Sequence, residues 1–119
     1  MPSGPVVLVV DDDPDVRELL VSTLESEGMI ALEAASGAEA LRILEADPSV
    51  CFLFTDILMP GISGTILADK AAQIRPDLKI ALTTAFAVSV PNDGRPLLRK
   101  PFDIDELTRM VRAVCGSKT

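Results

Sequence analysis

The sequence predicts an α/β fold: an open five-stranded parallel sheet with helices on both faces, in which the fourth helix is short or absent. Three observations predict it. Short apolar segments alternate with amphipathic periodicities along the whole chain, the order of a layered α/β sheet. The first segment, VVLVV, has no polar alternation, as in a strand buried on both faces by flanking helices. The stretch AFAVSVPNDGRP, Ala85 to Pro96, is too rich in Pro, Asn, Asp and Gly to hold a full helix and reads as a loop with at most one short turn.

The strands are expected at Val6 to Val10, Ile30 to Ala34, Cys51 to Thr55, Lys79 to Thr83 and, briefly, Leu97 to Leu98. Val16, Leu19, Leu20, Thr23 and Leu24 follow helical spacing, with Pro14 in the first turn and Gly28 beyond the end. Ser36 and Glu39 form a capping box for a helix through about Ala46, with Pro48 just past it. A third stripe, Leu67, Ala71 and Ile74, stops before Pro76. Asp103 and Glu106 open the last helix, whose Leu107, Met110, Val111 and Val114 are expected to face inward. Right-handed crossovers then fix the winding.

A length of 119 residues predicts a single domain over positions 1–119, and 48% hydrophobic residues suffice for a core, aliphatic because aromatics are only 3%. The net charge of −7 opposes phosphate backbones and anionic lipid, so no direct nucleic-acid or membrane partner is expected. No apolar run approaches a membrane span and the start, MPSGP, lacks signal-peptide character, which places the expected protein in the cytoplasm. Cys51 and Cys115 form no C-x-x-C pair and read as small apolar fillers. The absence of histidine removes Ser-His and Cys-His nucleophiles and leaves only oxygen ligands for a metal.

Ligands of open α/β sheets bind beyond the carboxyl ends of the strands. The polar residues fall there: Asp11, Asp12 and Asp13 after the first strand, Asp56 after the third, Thr83 and Thr84 at the end of the fourth, and Lys100 after the fifth. So many carboxylates repel one another unless a cation compensates them, and few carboxylates without a full oxygen cage favour Mg2+. An EF-hand reading of Asp11, Asp13 and Asp15 fails, because Val16 and Ser22 stand where that loop needs Gly and Glu. A carboxylate beside such a metal can attack phosphorus, and Asp56 is the candidate, with Lys100 and Thr84 to neutralise and hydrogen-bond the transferred group. Taken singly, each residue has a plainer role. Asp12 or Asp13 can cap the helix at Pro14, Asp56 can start the MPG turn, and Gly61 and Gly64 read as turn formers.

VVLVVDDDP, FTDILMPGISG, LTTA and LLRKPF, in this order, resemble the signatures of bacterial two-component response-regulator receiver domains. The resemblance covers nearly the whole chain and is to the flavodoxin-like, CheY-like receivers with a shortened fourth helix, as in hybrid kinases and stand-alone regulators. It implies Asp56 as phospho-acceptor, Asp12 as direct and Asp11 as water-mediated magnesium ligand, and Leu58 as a backbone-carbonyl ligand. Thr84 resembles the switch hydroxyl and Lys100 its ion-pair partner, with a Lys100–Pro101 bond that is often cis. Leu97 stands where the family has an aromatic switch residue. The implied activity is magnesium-dependent self-phosphorylation of Asp56 from the phosphohistidine of a sensor kinase or phosphotransfer protein, followed by dephosphorylation and signalling to a downstream protein.

Leu58 and Phe86, two positions beyond Asp56 and Thr84, are expected to border the phosphoryl group and hinder attacking water. With Met1 at its start and no output domain, the expectation is a stand-alone protein or a domain of a larger kinase. Three rivals are weaker. A degenerate receiver that only binds a partner need not keep Asp12, Asp56, Thr84 and Lys100. A phosphatase of the haloacid dehalogenase type needs an aspartate where Leu58 stands, and DDDP is electrostatically wrong for a nucleotide phosphate loop.

Overall fold

The computed structural model describes residues 4–85 and 94–115. In chain order these form β1 (Val6–Val10), α1 (Pro14–Ser26), β2 (Ile30–Ala34), α2 (Gly37–Ala46), β3 (Val50–Asp56), α3 (Gly64–Ile74), β4 (Lys79–Thr84), β5 (Leu97–Arg99) and α4 (Ile104–Cys115). The expected elements are all present, with β3 and β4 extended far enough to include Asp56 and Thr84. Among the described residues no helix lies between β4 and β5; most of the expected loop, together with Phe86, lies outside the described residues.

Capping chemistry sets the helix starts. The Asp13 carboxylate accepts the Asp15 and Val16 N–H groups at the head of α1, with Pro14 pre-set for the first turn. The Ser36 hydroxyl accepts the Glu39 N–H, while the Glu39 carboxylate reaches back to the Ala35 N–H at 2.7 Å. Ser63 does the same for Ile66 at the start of α3, a cap the apolar stripe alone does not reveal. Asp103 accepts the Asp105 N–H at the entrance to α4.

All strands are parallel, in the order β2-β1-β3-β4-β5. Alternation along β1 sends Leu8 and Val10 to one face, with Leu44 of α2 and Leu67 and Ala71 of α3. It sends Val7 and Val9 to the other, with Leu20 and Leu24 of α1 and Leu107 and Val111 of α4. Phe54 closes this second core against the Phe102 ring, edge to face at a centroid distance of 5.5 Å.

Two expectations need correction here. Val114, expected to face inward, is 43% exposed, and Leu19 and Ile74 of the other apolar stripes are 68% and 43% exposed, because each stripe is wider than the strip of sheet its helix covers. Cys51 and Cys115 are not separate fillers: the fold brings them together as a disulfide-compatible pair, from β3 to the end of α4, with Cα atoms 5.9 Å apart. Packing between distant elements, invisible in a spacing of 64 residues, brings them together.

Candidate functional site

From the carboxyl end of β1 the chain crosses to β2, and from the carboxyl end of β3 it crosses the opposite way to β4, so a crevice opens between the carboxyl ends of these two strands. Asp11 follows β1 directly and Asp56 is the last residue of β3. Both are buried, at 1% and 9% exposure, whereas Asp12 is open to solvent. Oxygens of Asp11, Asp12 and Asp56 lie within 4.8 Å of one another, the only such ligand cluster among the described residues.

The loop after β1 is tied down group by group. Asp11 N–H bonds the Ala34 carbonyl of β2, and its Oδ1 accepts the Asp13 N–H at 2.9 Å. Arg17, one turn into α1, donates from Nη1 to the Asp11 carbonyl oxygen at 2.8 Å and from Nε to Glu33 at 2.8 Å. Nothing in the acidic motif points to Arg17; helical spacing from Asp13 places it over the loop, but only the fold supplies Glu33 as its second anchor. Asp13, the third acid of the run, is not one of the clustered carboxylates, and its side chain caps α1.

On the β3 side, Ile57 N–H bonds the Thr83 carbonyl and Leu58 N–H donates to Asp56 Oδ1 at 3.2 Å. Gly61 takes a positive φ of 81° in the turn, as expected. Gly64 has a different role from the expected turn: a Cβ there would stand 2.1 Å from the Asp56 carbonyl oxygen, so only glycine lets α3 start against the site.

Lys100 enters from the loop after β5, where its N–H bonds the Thr84 carbonyl and its peptide bond to Pro101 is cis. Its Nζ lies 3.0 Å from Asp56 Oδ2 and 3.1 Å from Asp11 Oδ2, joining the two buried carboxylates. Burial disfavours the ammonium, but hydrogen bonds and charge from Asp56 and Asp11 outweigh it and hold the Lys100 pKa above its ordinary value. Thr84 is buried at the end of β4, one residue beyond the Thr83 that pairs with Asp56. Leu97 sits apart from this group: it pairs with Leu82 and packs against the core of the α2 and α3 face.

Beside Lys100, an open groove of about 440 Å³ runs along α1, lined by Val16, Leu19, Leu20, Phe102 and Ile104.

The site is an acidic crevice at the switch point of a doubly wound parallel sheet, with a lysine bridging its two buried carboxylates. The response regulator receiver domain family matches residues 7–112, and the chain belongs to this family. It is a receiver domain of a two-component signal transduction system, with the CheY-like fold. It is 37% identical to the response regulator receiver protein CpdR of Brucella abortus over 88% of this chain and 92% of that protein. It is 36% identical to the C4-dicarboxylate transport regulator DctD of Rhizobium meliloti over 94% of this chain, but spans only 25% of that protein. Among solved structures, TrrA of Thermotoga maritima in complex with Mg2+ and BeF superposes with a TM-score of 0.83 at 34% identity, covering 92% of this chain and 98% of that one. TrrA has also been crystallised with the histidine kinase ThkA.

Proposed function

We propose that Asp56 is the residue phosphorylated in this receiver, that Asp11, Asp12, Asp56 and the Leu58 carbonyl bind Mg2+, and that Thr84 and Lys100 hold the phosphoryl group. The observation that carries this reading is the Asp56 carboxylate itself, fixed between Lys100 Nζ at 3.0 Å and the Leu58 N–H at 3.2 Å, within 4.8 Å of two further carboxylates. The donor set fits the ion: carboxylate oxygens, no histidine, and one exposed member at which water can complete the shell. That TrrA holds Mg2+ together with BeF supports the choice of metal. When bound, the ion offsets charge on the phosphoryl oxygens.

The chain's own groups do the rest. The Asp56 carboxylate, ionised without a general base, attacks the phosphorus of a partner's phosphohistidine. The phosphorus–nitrogen bond breaks, the imidazole leaves with the electron pair, and an acyl phosphate forms on Asp56. Lys100 exchanges its carboxylate partner for a phosphoryl oxygen, and the Thr84 hydroxyl donates to another. Withdrawal of these two groups into the site shifts a surface between two populations, which a downstream protein reads. In this reading Leu97 takes the place of the aromatic switch residue, and the activity is self-phosphorylation and dephosphorylation rather than turnover of a separate metabolite.

The partner is a sensor histidine kinase or a histidine phosphotransfer protein, as the TrrA and ThkA pair supports, and the apolar groove beside Lys100 suits a partner helix. We read positions 1–119 as a single domain. Its place is the cytoplasm, on the strength of that partner class; no helix of the described residues is long and apolar enough to cross a membrane.

Intact mass spectrometry after incubation with Mg2+ and a small acyl phosphate tests the reading. One phosphoryl adduct is expected, absent from Asp56→Ala and from a metal-free sample. If Asp56→Ala still takes up the group, or if neither an acyl phosphate nor a phosphorylated histidine protein labels the wild type, the phospho-acceptor assignment fails.

A further inference from the structure

We propose that Cys51 and Cys115 are a redox-modification site, a thiol pair that closes reversibly into a disulfide and clamps the C-terminal end of α4 to β3. Two independent features of the fold bring the pair together. First, β3 carries a bulge: Val6 pairs with Val50 but Val7 pairs with Phe52, so Cys51 is the extra residue. Strict alternation would put Cys51 on the face opposite Phe52. With the bulge, Val50 packs into the α2 and α3 core, while Cys51 and Phe52 both lie on the face covered by α1 and α4. Second, Leu107 and Val111 seat α4 on that same face, and Cys115, the last residue of the helix, follows Val111 by one turn.

The resulting Cα separation is 5.9 Å, inside the range of about 4.4 to 6.8 Å that a disulfide needs. Neither cysteine is fully buried, so an oxidant can reach the pair. The open form is also provided for, because Cys51 Sγ lies 3.4 Å from the Val6 carbonyl oxygen, an acceptor for a thiol.

A hydroperoxide is the oxidant. One thiolate attacks the peroxide oxygen, forming a sulfenic acid and releasing water or an alcohol. The second thiolate then displaces the sulfenic hydroxyl, which takes up a proton and leaves as water, giving the disulfide. In the cytoplasm the pair rests as thiols and the disulfide is transient; this resting state depends on the receiver function proposed above, whereas the pairing does not.

Full-length protein, reduced with dithiothreitol and desalted, is alkylated with iodoacetamide before and after treatment with hydrogen peroxide. Before oxidation two alkyl groups are expected. Afterwards a monomer about 2 Da lighter should take none, and dithiothreitol should restore both sites. The melting temperature should rise by about 10 °C on oxidation, since the bond closes a long loop. Cys115→Ser and Cys51→Ser should each lose both responses. Two alkylated thiols after oxidation, sulfinic acid in place of the 2 Da loss, covalent dimers, or unchanged melting would each overturn the proposal. Acyl phosphate labelling of Asp56 in the same mass spectra reads the receiver chemistry separately, so failure of one is not mistaken for failure of the other.

Discussion

Arg17 holds the acidic loop from behind, bonded to the Asp11 carbonyl on one side and Glu33 on the other. Its loss should leave the carboxylates present but poorly aimed, because outer groups that orient ligands set much of a site's affinity. Arg17→Ala is therefore expected to weaken Mg2+ about tenfold. A thermal-shift titration measures this without Trp or Tyr, neither of which the chain contains; an unchanged midpoint would reject the role. Leu58 stands 44% exposed beside Asp56, and in the proposed phospho-acceptor reading its apolar side chain would hinder water at the acyl phosphate. Leu58→Asn should speed loss of the phosphoryl group several-fold, read as decay of the adduct by mass spectrometry. The same rate in both proteins would show that Leu58 does not shield the bond. The candidate acids and Lys100 were legible in the sequence because charged residues directly after apolar strands have few other reasons to cluster. Arg17 was not, since a single arginine on a helix is ordinarily a solvated surface group.

Among the elements, α1 depends most visibly on one side chain. Its first N–H groups are met by Asp13, so the third acid of the DDD run serves the helix and the first two serve the crevice. Asp13→Ala should cost about 1 kcal/mol. By calorimetry that is a fall of about 4 °C in melting temperature, with Asp56 labelling retained. A fall in labelling as large as that of Asp56→Ala would place Asp13 in the chemistry instead. Element boundaries followed well from Pro, Gly and capping signals. The β3 bulge did not, since it arises from the register between β1 and β3 and has no local signature at Cys51. Gly64 was misread for a similar reason: its need for no side chain comes from the Asp56 carbonyl oxygen packed against it.

At the scale of the whole molecule, Lys100 crosses from β5 to neutralise carboxylates carried by β1 and β3. Its folded-state pKa is raised, so its contribution to stability is complete below the unfolded value of about 10.4 and is lost as pH climbs through the higher folded value. Without metal, Lys100→Met should be less stable than wild type by a constant margin from about pH 7 to 9, because Asp11 and Asp56 are left to repel each other. The margin should shrink only above about pH 10.5. Denaturation midpoints across that range test the sign, and a margin that vanishes below pH 9 would contradict it.

The sequence by itself determined the parallel α/β layering, the order of the elements and the identity of the acidic and basic residues at the strand ends. These are properties of hydrophobic period and local capping, which depend on neighbours a few positions apart. Tertiary structure alone decided which acids gather, where Arg17 and Gly64 bear on the site, and that Cys51 meets Cys115. Each of those outcomes depends on strand register and on helices seated across a sheet, and no short-range pattern encodes the distance between residues that the fold, rather than the chain, makes neighbours.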